Sequence, residues 1–379
     1  MSELKNHGGR AHALLSASSS GRWLKCPPSA MAATLYPDTD TAFTREGTLA
    51  HEVAELYARG GSLANPNDPA FADEGVTPEM IRCAEAYRDY IKEQIKSPDA
   101  VVLLEQRLDF SPWVPDGFGT GDCLVIQGHR LDVIDYKYGQ GVAVSALENS
   151  QMRLYGLGAL NDFGSIYEIT EVVLHIFQPR KDNISWEALP VSELLVWGEN
   201  VKPVAAQAAK GEGELCAGEH CRFCPHAGVC PSLTASCLAL YNGAAANVPT
   251  LAPEQVAAIL EQESMISAWL KAVKDRAMAD LLGGGEVPGF KVVAGRSTRA
   301  WADDLEVSGI LQAAGYSPAQ YTKTEMLSPA AMSKLLGKKQ FSELLSGQVL
   351  TYPGAPTVVP ASDGRPVFDR LADAKKDFN

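Results

Sequence analysis

Apolar residues recur along this chain in two rhythms, and the change from one to the other predicts its order of elements. Over 46–59 the apolar positions Leu49, Val53, Leu56 and Tyr57 fall three or four apart, and over 78–96 Ile81, Ala84, Tyr87 and Ile91 do the same. That spacing gathers side chains on one face of a helix. From position 100 the rhythm tightens, and 100–108, 120–127, 130–137 and 171–178 become short β-like runs. A helix over 146–161 separates the last two runs, and another over 192–210 follows. An opening helix is expected over 16–35, with Cys26 within it or at its end beside Pro27-Pro28. The order α-β-β-β-α-β predicts an α/β fold, a mixed central sheet flanked by helices.

The stretch from Gly119 to Gln151 carries the chemistry. A polar turn at Gln127-Gly128-His129 joins a run containing Asp122 to one ending in Asp135-Tyr136-Lys137. Residues two apart on a strand share a face, so Asp135 and Lys137 project side by side, and the hairpin brings Asp122 opposite. An Asp-x-Lys pair on an exposed strand is ordinarily a solvated face. Here Leu131, Val133 and Ile134 make the strand apolar, and charges on a core strand need a reason. Gly119 and Gly121 lack side chains and are read as room for a large ligand. Two carboxylates beside a lysine suit a hard divalent cation and the water it activates, which is the chemistry of phosphodiester hydrolysis.

Taken together, His51 (in Gly47-Thr48-Leu49-Ala50-His51-Glu52), Asp122, Asp135-Tyr136-Lys137 and Gln151-Met152-Arg153-Leu154-Tyr155 resemble, in that order, the PD-(D/E)XK nuclease superfamily. The RecB-like branch is the nearest in pattern. The resemblance implies a restriction-endonuclease-like core in which His51, Asp122 and Asp135 hold Mg²⁺ or Mn²⁺, with the Tyr136 carbonyl as a further ligand. It implies Lys137 as the catalytic lysine, and Gln151 and Tyr155 as a pair one helical turn apart that steadies the site and the DNA strand. Asp135 stands where many relatives carry Glu, a shorter arm toward the metal. Glu105, in Val101-Val102-Leu103-Leu104-Glu105, is a lesser candidate for an extra acidic group.

The chain has eight cysteines, an even number that would permit disulfides in a secreted protein. Met1–Arg10 is polar and lacks the apolar core of a secretory signal, so a reducing cytoplasm, in a bacterial cell or a phage-infected host, is expected. There, clustered cysteines point to metal. Cys221-Arg-Phe-Cys224 followed by Cys230 can grip one inorganic centre with three thiolates, and Cys26 is the natural fourth donor. One cysteine before the site motifs and three after them resembles the iron–sulfur staple of AddB-type and CRISPR-adaptation nucleases, which implies a [4Fe–4S] cluster on Cys26, Cys221, Cys224 and Cys230. A structural Zn²⁺ is the alternative, with Cys216, His220, His226 or Cys237 as other ligands. Cys83 and Cys123 read as buried free thiols.

Charge complicates the reading. A net charge of −13 lacks the basic footprint of a general DNA binder, so contact rests on local cations, Arg107, Arg130, Lys137, Arg153, Arg180 and Lys181, or on a DNA end delivered by a partner. Beyond a linker at Tyr241–Pro249, a long helix is predicted over 253–282, with Ile259, Ile266, Leu270, Val273, Ala277 and Leu281 along one face and Gly283-Gly284-Gly285 at its end. Gly289–Val293 reads as a strand. From 290 to 341 seven basic residues face four acidic ones, and Arg296 and Arg299, with Trp301 and Tyr321, could track a single strand, as could Arg153. An ordinary α/β appendage reads the same segment equally well.

The expected organisation is therefore a nuclease domain with its cluster over 1–240, a linker over 241–252 and an accessory α/β region over 253–379. The expected activity is hydrolysis of DNA, single-stranded or at ends, by a metal-dependent exonuclease of recombination, repair or phage DNA metabolism. A recombination or replication protein is the expected partner, and no run is long enough to span a membrane. The alternative is a protein of the same fold that binds DNA ends or a recombination partner without cutting.

Overall fold

A computed structural model of the protein describes residues 13–36, 42–63, 75–244, 252–293, 304–313, 317–318, 322, 328–345 and 348–349. The chain divides into two compact units, Met1–Phe290 and Lys291–Asn379. This division falls beyond the 253–282 helical stretch rather than before it.

The first unit is built on a five-stranded sheet in the order β1-β2-β3-β4-β5: β1 (Val101–Asp109), β2 (Phe118–Gln127), β3 (Arg130–Tyr136), β4 (Glu171–Gln178) and β5 (Asn183–Pro190). Only β3 and β4 are parallel, and every other neighbouring pair is antiparallel. Parallel neighbours need a crossover. It is supplied by the helix over Ser150–Phe163, which starts at Asn149, whose side chain accepts from the amides of Gln151 and Met152. The predicted start at 146 thus moves to the capping residue. β5 was not expected from the sequence, and its addition makes the sheet one strand wider.

Two apolar layers sandwich the sheet. One face packs α3 (Ala42–Ala58) and α4 (Pro78–Gln94) over Cys123, Val125, Ile134, Tyr136 and Phe177. Thr77 caps α4 by accepting from Met80 N, and Pro78 opens its first turn, where no amide is needed. The other face packs α5 (Ser150–Phe163) and α6 (Val191–Lys210) over Leu108, Leu124, Leu131, Val133 and Leu174. The opening helix expected over 16–35 is broken: a 3₁₀ turn at Ala17–Ser19, then α1 (Ser20–Trp23), then α2 (Ser29–Ala33). Pro27 and Pro28 part α1 from α2, as prolines in a helix interior must.

Two 3₁₀ turns, Glu219–Phe223 and Ala227–Val229, carry the cysteine-rich segment into α7 (Pro231–Ala244). α7 takes up the first part of the expected linker, and 245–249 lies outside the described residues. The long helix expected over 253–282 is two helices meeting at Gln262, α8 (Pro253–Glu261) and α9 (Glu263–Leu282). Met265, Ile266, Trp269 and Ala272 of α9 pack on Cys221, Ala227, Leu233 and Cys237. Gly289–Val293 is irregular rather than a strand. In the second unit the described helices are α10 (Asp304–Ala313), α11 (Pro329–Leu336) and α12 (Lys338–Leu345). Arg296, Arg299, Trp301 and Tyr321 lie outside the described residues, and among those described no helix is long and apolar enough to cross a membrane.

Candidate functional site

The sheet's side-chain alternation breaks at one place, and the site is built there. On β1, Val101 and Leu103 pack on the α5 side and Leu104 on the α3 side, yet Leu108 again packs on the α5 side. On β2, Leu124 and Ile126 face α5, and so do Gly119 and Gly121, whose absent Cβ atoms would meet Tyr155 at 2.7 Å and Leu108 at 2.9 Å. Both strands therefore change parity between Leu104↔Cys123 and Gln106↔Gly121, the register pairs that bracket Glu105 and Asp122. Glu105 absorbs the change with a left-handed backbone, φ +51°. Such a conformation costs a non-glycine residue about 1–3 kcal/mol and persists only where the surroundings impose it. The two glycines are filled by Tyr155 and Leu108, so they serve internal packing rather than leaving room for a ligand.

Past Cys123↔Ile134 β2 parts from β3, and the Asp122 carboxylate takes the place of the missing ladder bond. Its Oδ2 accepts from Tyr136 N at 2.7 Å, and its Oδ1 lies 3.5 Å from Nδ1 of His51 on α3. The His51 ring stands edge-on to Tyr136, with centroids 5.3 Å apart. Nitrogen of His51 and carboxylate oxygens of Glu105 and Asp122 all lie within 4.8 Å of one another, a spacing one cation can bridge. Glu105, the lesser candidate, thus joins His51 and Asp122, while Asp135 is not in that group.

Asp135 instead meets Lys137. Lys137 Nζ is 2.8 Å from Asp135 Oδ2 and also reaches Gln151 Oε1 at 3.4 Å. Gln151 Nε2 donates to Asp135 Oδ1 at 3.2 Å and lies 3.3 Å from the Tyr155 hydroxyl. The spacing of Gln151 and Tyr155 does place both on one face of α5, as expected. Asp135 is 3% exposed, and its Oδ2 has no hydrogen bond of good angle despite the nearby ammonium. The Lys137 ammonium 2.8 Å away supplies the charge that this buried oxygen needs.

The electrostatics follow from crowding. Burial and then the Asp122 charge push the Glu105 carboxyl up to about 7. Burial raises the Asp135 carboxyl, Lys137 opposes it, and Asp122 adds to it. Burial works against the charge on Lys137, but Asp135 outweighs it and keeps the ammonium protonated above its ordinary range. Burial likewise disfavours the His51 cation, and contact with Asp122 more than offsets it. Three carboxylates repelling one another around a histidine form a site that gains from a cation. Carboxylates suit both Mg²⁺ and Mn²⁺, and an imidazole beside them favours Mn²⁺ of the two.

The local cations are mostly committed. Arg130 grips buried Asp132, Arg153 pairs with buried Glu187 at 2.7 Å, and Arg180 joins Glu46 to Glu79 at 3.1 Å each. Lys181 donates to the Gln140 carbonyl, and Arg107 stacks 3.9 Å over Phe118. They stiffen the fold more than they make a basic surface. Arg180 also clamps the start of α3, the helix that carries His51.

The eight cysteines form no disulfide. Cys26, Cys221, Cys224 and Cys230 line one small pocket between α1, α2 and the two 3₁₀ turns, and Cys216, His220 and His226 line it too. Burial raises the Cys221 thiol, and Cys224, Cys230 and Cys26 add to the shift. Other candidate ligands are engaged: His226 Nδ1 lies 3.0 Å from the Tyr36 hydroxyl, and His220 Nε2 lies 2.8 Å from the Cys216 carbonyl. Cys216 is exposed and Cys237 is buried with α9 residues. Cys83 and Cys123 are buried in the α3–α4 layer, as expected.

The architecture is that of an α/β protein with a mixed five-stranded sheet between helical layers. The chain belongs to the family described as "Protein of unknown function (DUF2800)", whose model matches residues 12–366. A solved structure described as "Crystal structure of SSO0001" is similar at 13% identity and TM-score 0.29, over 61% of this chain and 90% of that chain, a likeness too slight to carry an argument.

Proposed function

We propose that the protein is a metal-dependent deoxyribonuclease of the PD-(D/E)XK type that hydrolyses DNA, single-stranded or at ends. The observation that carries this reading is the convergence of His51, Glu105 and Asp122 within 4.8 Å, beside an Asp135–Lys137 pair held by Gln151. When bound, Mg²⁺ or Mn²⁺ would acidify a water and offset the charge of a phosphodiester. His51, Glu105 and Asp122 would hold the cation, with Asp135 and the Tyr136 carbonyl completing the set. Lys137 is 27% exposed at its side chain, enough to reach a bound phosphate. Its ammonium would stabilise the charge that develops on the phosphoryl oxygens. Gln151 would fix the angle between Lys137 and Asp135, and Tyr155 would fix Gln151.

The same proposal assigns a [4Fe–4S] cluster to Cys26, Cys221, Cys224 and Cys230. Ligation by cysteine alone suits an iron–sulfur centre, and a structural Zn²⁺ on the same thiolates is the alternative. Such a centre closes a loop of chain running from Cys26 to Cys221, and cross-links over long loops restrict the unfolded chain most.

The test is an anaerobic cleavage assay on end-labelled single- and double-stranded DNA with Mg²⁺ or Mn²⁺, comparing wild type with Asp122→Ala and Lys137→Ala. Cleavage lost in both variants supports the enzyme. Metal-dependent cleavage that survives in both removes the site assignment, and no cleavage by cluster-loaded wild type favours a protein that binds DNA without cutting it, or a subunit that needs a partner.

A further inference from the structure

The four cysteines and the Asp135–Lys137 pair are described above as separate centres, yet one short helix touches both. α1 (Ser20–Trp23) packs on the 3₁₀ turn that holds Cys221 and on α5, the helix that carries Gln151. Arg22 of α1 lines the cysteine pocket, and the Cys26 amide donates to the Arg22 carbonyl at 2.9 Å. On the other side, the hydroxyls of Ser20 and Ser150 lie 2.7 Å apart, a hydrogen bond between residues 130 positions distant. Ser20 is 1% exposed. Ser150 is the first residue of α5 and the neighbour of Gln151, whose amide hydrogen-bonds Asp135.

A helix of one turn has no stability of its own, because nucleation fixes several residues for a single hydrogen bond. α1 keeps its place through what holds its two ends. Trp23 is fully buried and donates from Nε1 to the Ser16 carbonyl, which secures the N-terminal side. The C-terminal side runs directly into Cys26, which is buried, whose carbonyl accepts from Ser29 N at 2.9 Å and which lines the pocket shared with Cys221, Cys224 and Cys230.

We infer that occupancy of the four-cysteine centre positions Gln151 through α1 and the Ser20–Ser150 hydrogen bond, so that Ser20 is a positioning residue for the Asp135–Lys137 pair. The inference rests on the cysteine-bound group proposed above. It goes beyond a staple, because a staple predicts lower global stability when emptied but no selective change at the first turn of α5. Here the first turn of α5 responds before the sheet does.

Hydrogen exchange of the full chain, read by mass spectrometry, tests this without requiring cleavage. Four samples are compared: the metal-loaded wild type, the same protein after chelation, and Ser20→Ala and Ser20→Thr with their metal retained. Emptying the centre is expected to speed exchange over 150–157 about tenfold, while 131–136 and 172–177 in the sheet keep their protection. Ser20→Ala is expected to give several-fold faster exchange over 150–157 with iron content unchanged, and Ser20→Thr, which keeps the hydroxyl, is expected to restore it. If cleavage is found, Ser20→Ala should lower kcat several-fold and leave KM unchanged. Unchanged exchange over 150–157 on chelation, or in Ser20→Ala, overturns the inference and leaves the cysteine-bound group standing. A purified chain that carries neither iron nor zinc overturns both.

Discussion

Glu105 stands across from Asp122 on the two strands whose faces change over together, and it holds a left-handed backbone to do so. Neither residue could present its carboxylate to His51 if β1 and β2 kept their pleat. The strain is local to the group that would hold the cation, and its removal should separate stability from binding. Glu105→Gln keeps the backbone and removes a ligand charge, so Mn²⁺ affinity should fall roughly tenfold or more. Glu105→Gly should abolish that ligand and relieve strain of about 1 kcal/mol, leaving a fold at least as stable as wild type. Calorimetric Mn²⁺ titration beside thermal unfolding decides it. A Glu105→Gly variant that is clearly less stable yet binds Mn²⁺ normally would make Glu105 a purely structural residue.

Protons should leave when the cation enters. The Glu105 carboxyl is pushed up to about 7 by burial and Asp122, and His51 is raised above its ordinary value. Both groups have higher pKa values in the folded chain than in the unfolded one. Their contribution to metal-free stability is full at low pH and is lost as pH rises, through about 7 for Glu105. Metal-free protein should therefore lose stability through neutral pH, while Mn²⁺ affinity climbs over the same interval. Titrations at pH 6.5 in buffers of different ionisation enthalpy should show release of roughly one to two protons per Mn²⁺. A heat of binding independent of the buffer would contradict it.

Much of the core was legible because its signals are local. The hairpin, the Asp135-Tyr136-Lys137 run and the Gln151 helix follow from alternation and helical spacing within about thirty residues. Three features were not. β5 escapes because its apolar Ile184 and Trp186 point outward while Ser185 and Glu187 point in, to hold Ala146 and Arg153. The left-handed turn at Glu105 has no glycine or asparagine to announce it. The docking of α9 uses Ile266 of the predicted face together with Met265, Trp269 and Ala272, which lie off the Leu270–Val273–Ala277 line, and tertiary contact selects that face.

Gly228 marks the contact between the cysteine segment and α9. A Cβ there would lie 2.5 Å from the Ala272 carbonyl oxygen, and backbone cannot yield as a side chain does. Gly228→Ala should therefore destabilise the cysteine region by about 1–3 kcal/mol. Faster proteolysis within 215–282 and earlier loss of bound metal on heating are the readouts. A variant indistinguishable from wild type in both would mean that α9 is not seated on the turn.

The cysteine assignment predicts a sharp division among eight similar residues. Cys26→Ser, Cys221→Ser, Cys224→Ser or Cys230→Ser should each strip the iron and its visible absorbance, with loss of about 2 kcal/mol or more of stability. Cys216→Ser, at an exposed position, and Cys83→Ala should keep both. Iron and sulfide analysis of the purified variants distinguishes the sets, and retention of iron by Cys26→Ser would break the link between the two ends of the domain.

Lys137 and Asp135 should be dispensable to the fold only as a pair. Removing the ammonium leaves a carboxylate that is 3% exposed with Gln151 as its remaining side-chain donor. Breaking a buried pair on one side costs about 3–5 kcal/mol, whereas replacing both partners is often close to neutral. Lys137→Met should therefore unfold well below wild type, and Lys137→Met with Asp135→Asn should recover most of the loss. Cleavage should remain absent in the double variant, because recovery of packing does not restore a charge at the phosphate. A double variant no more stable than Lys137→Met would mean that the lysine acts on the fold through contacts other than Asp135. A double variant that cleaves would place the chemistry elsewhere in the chain.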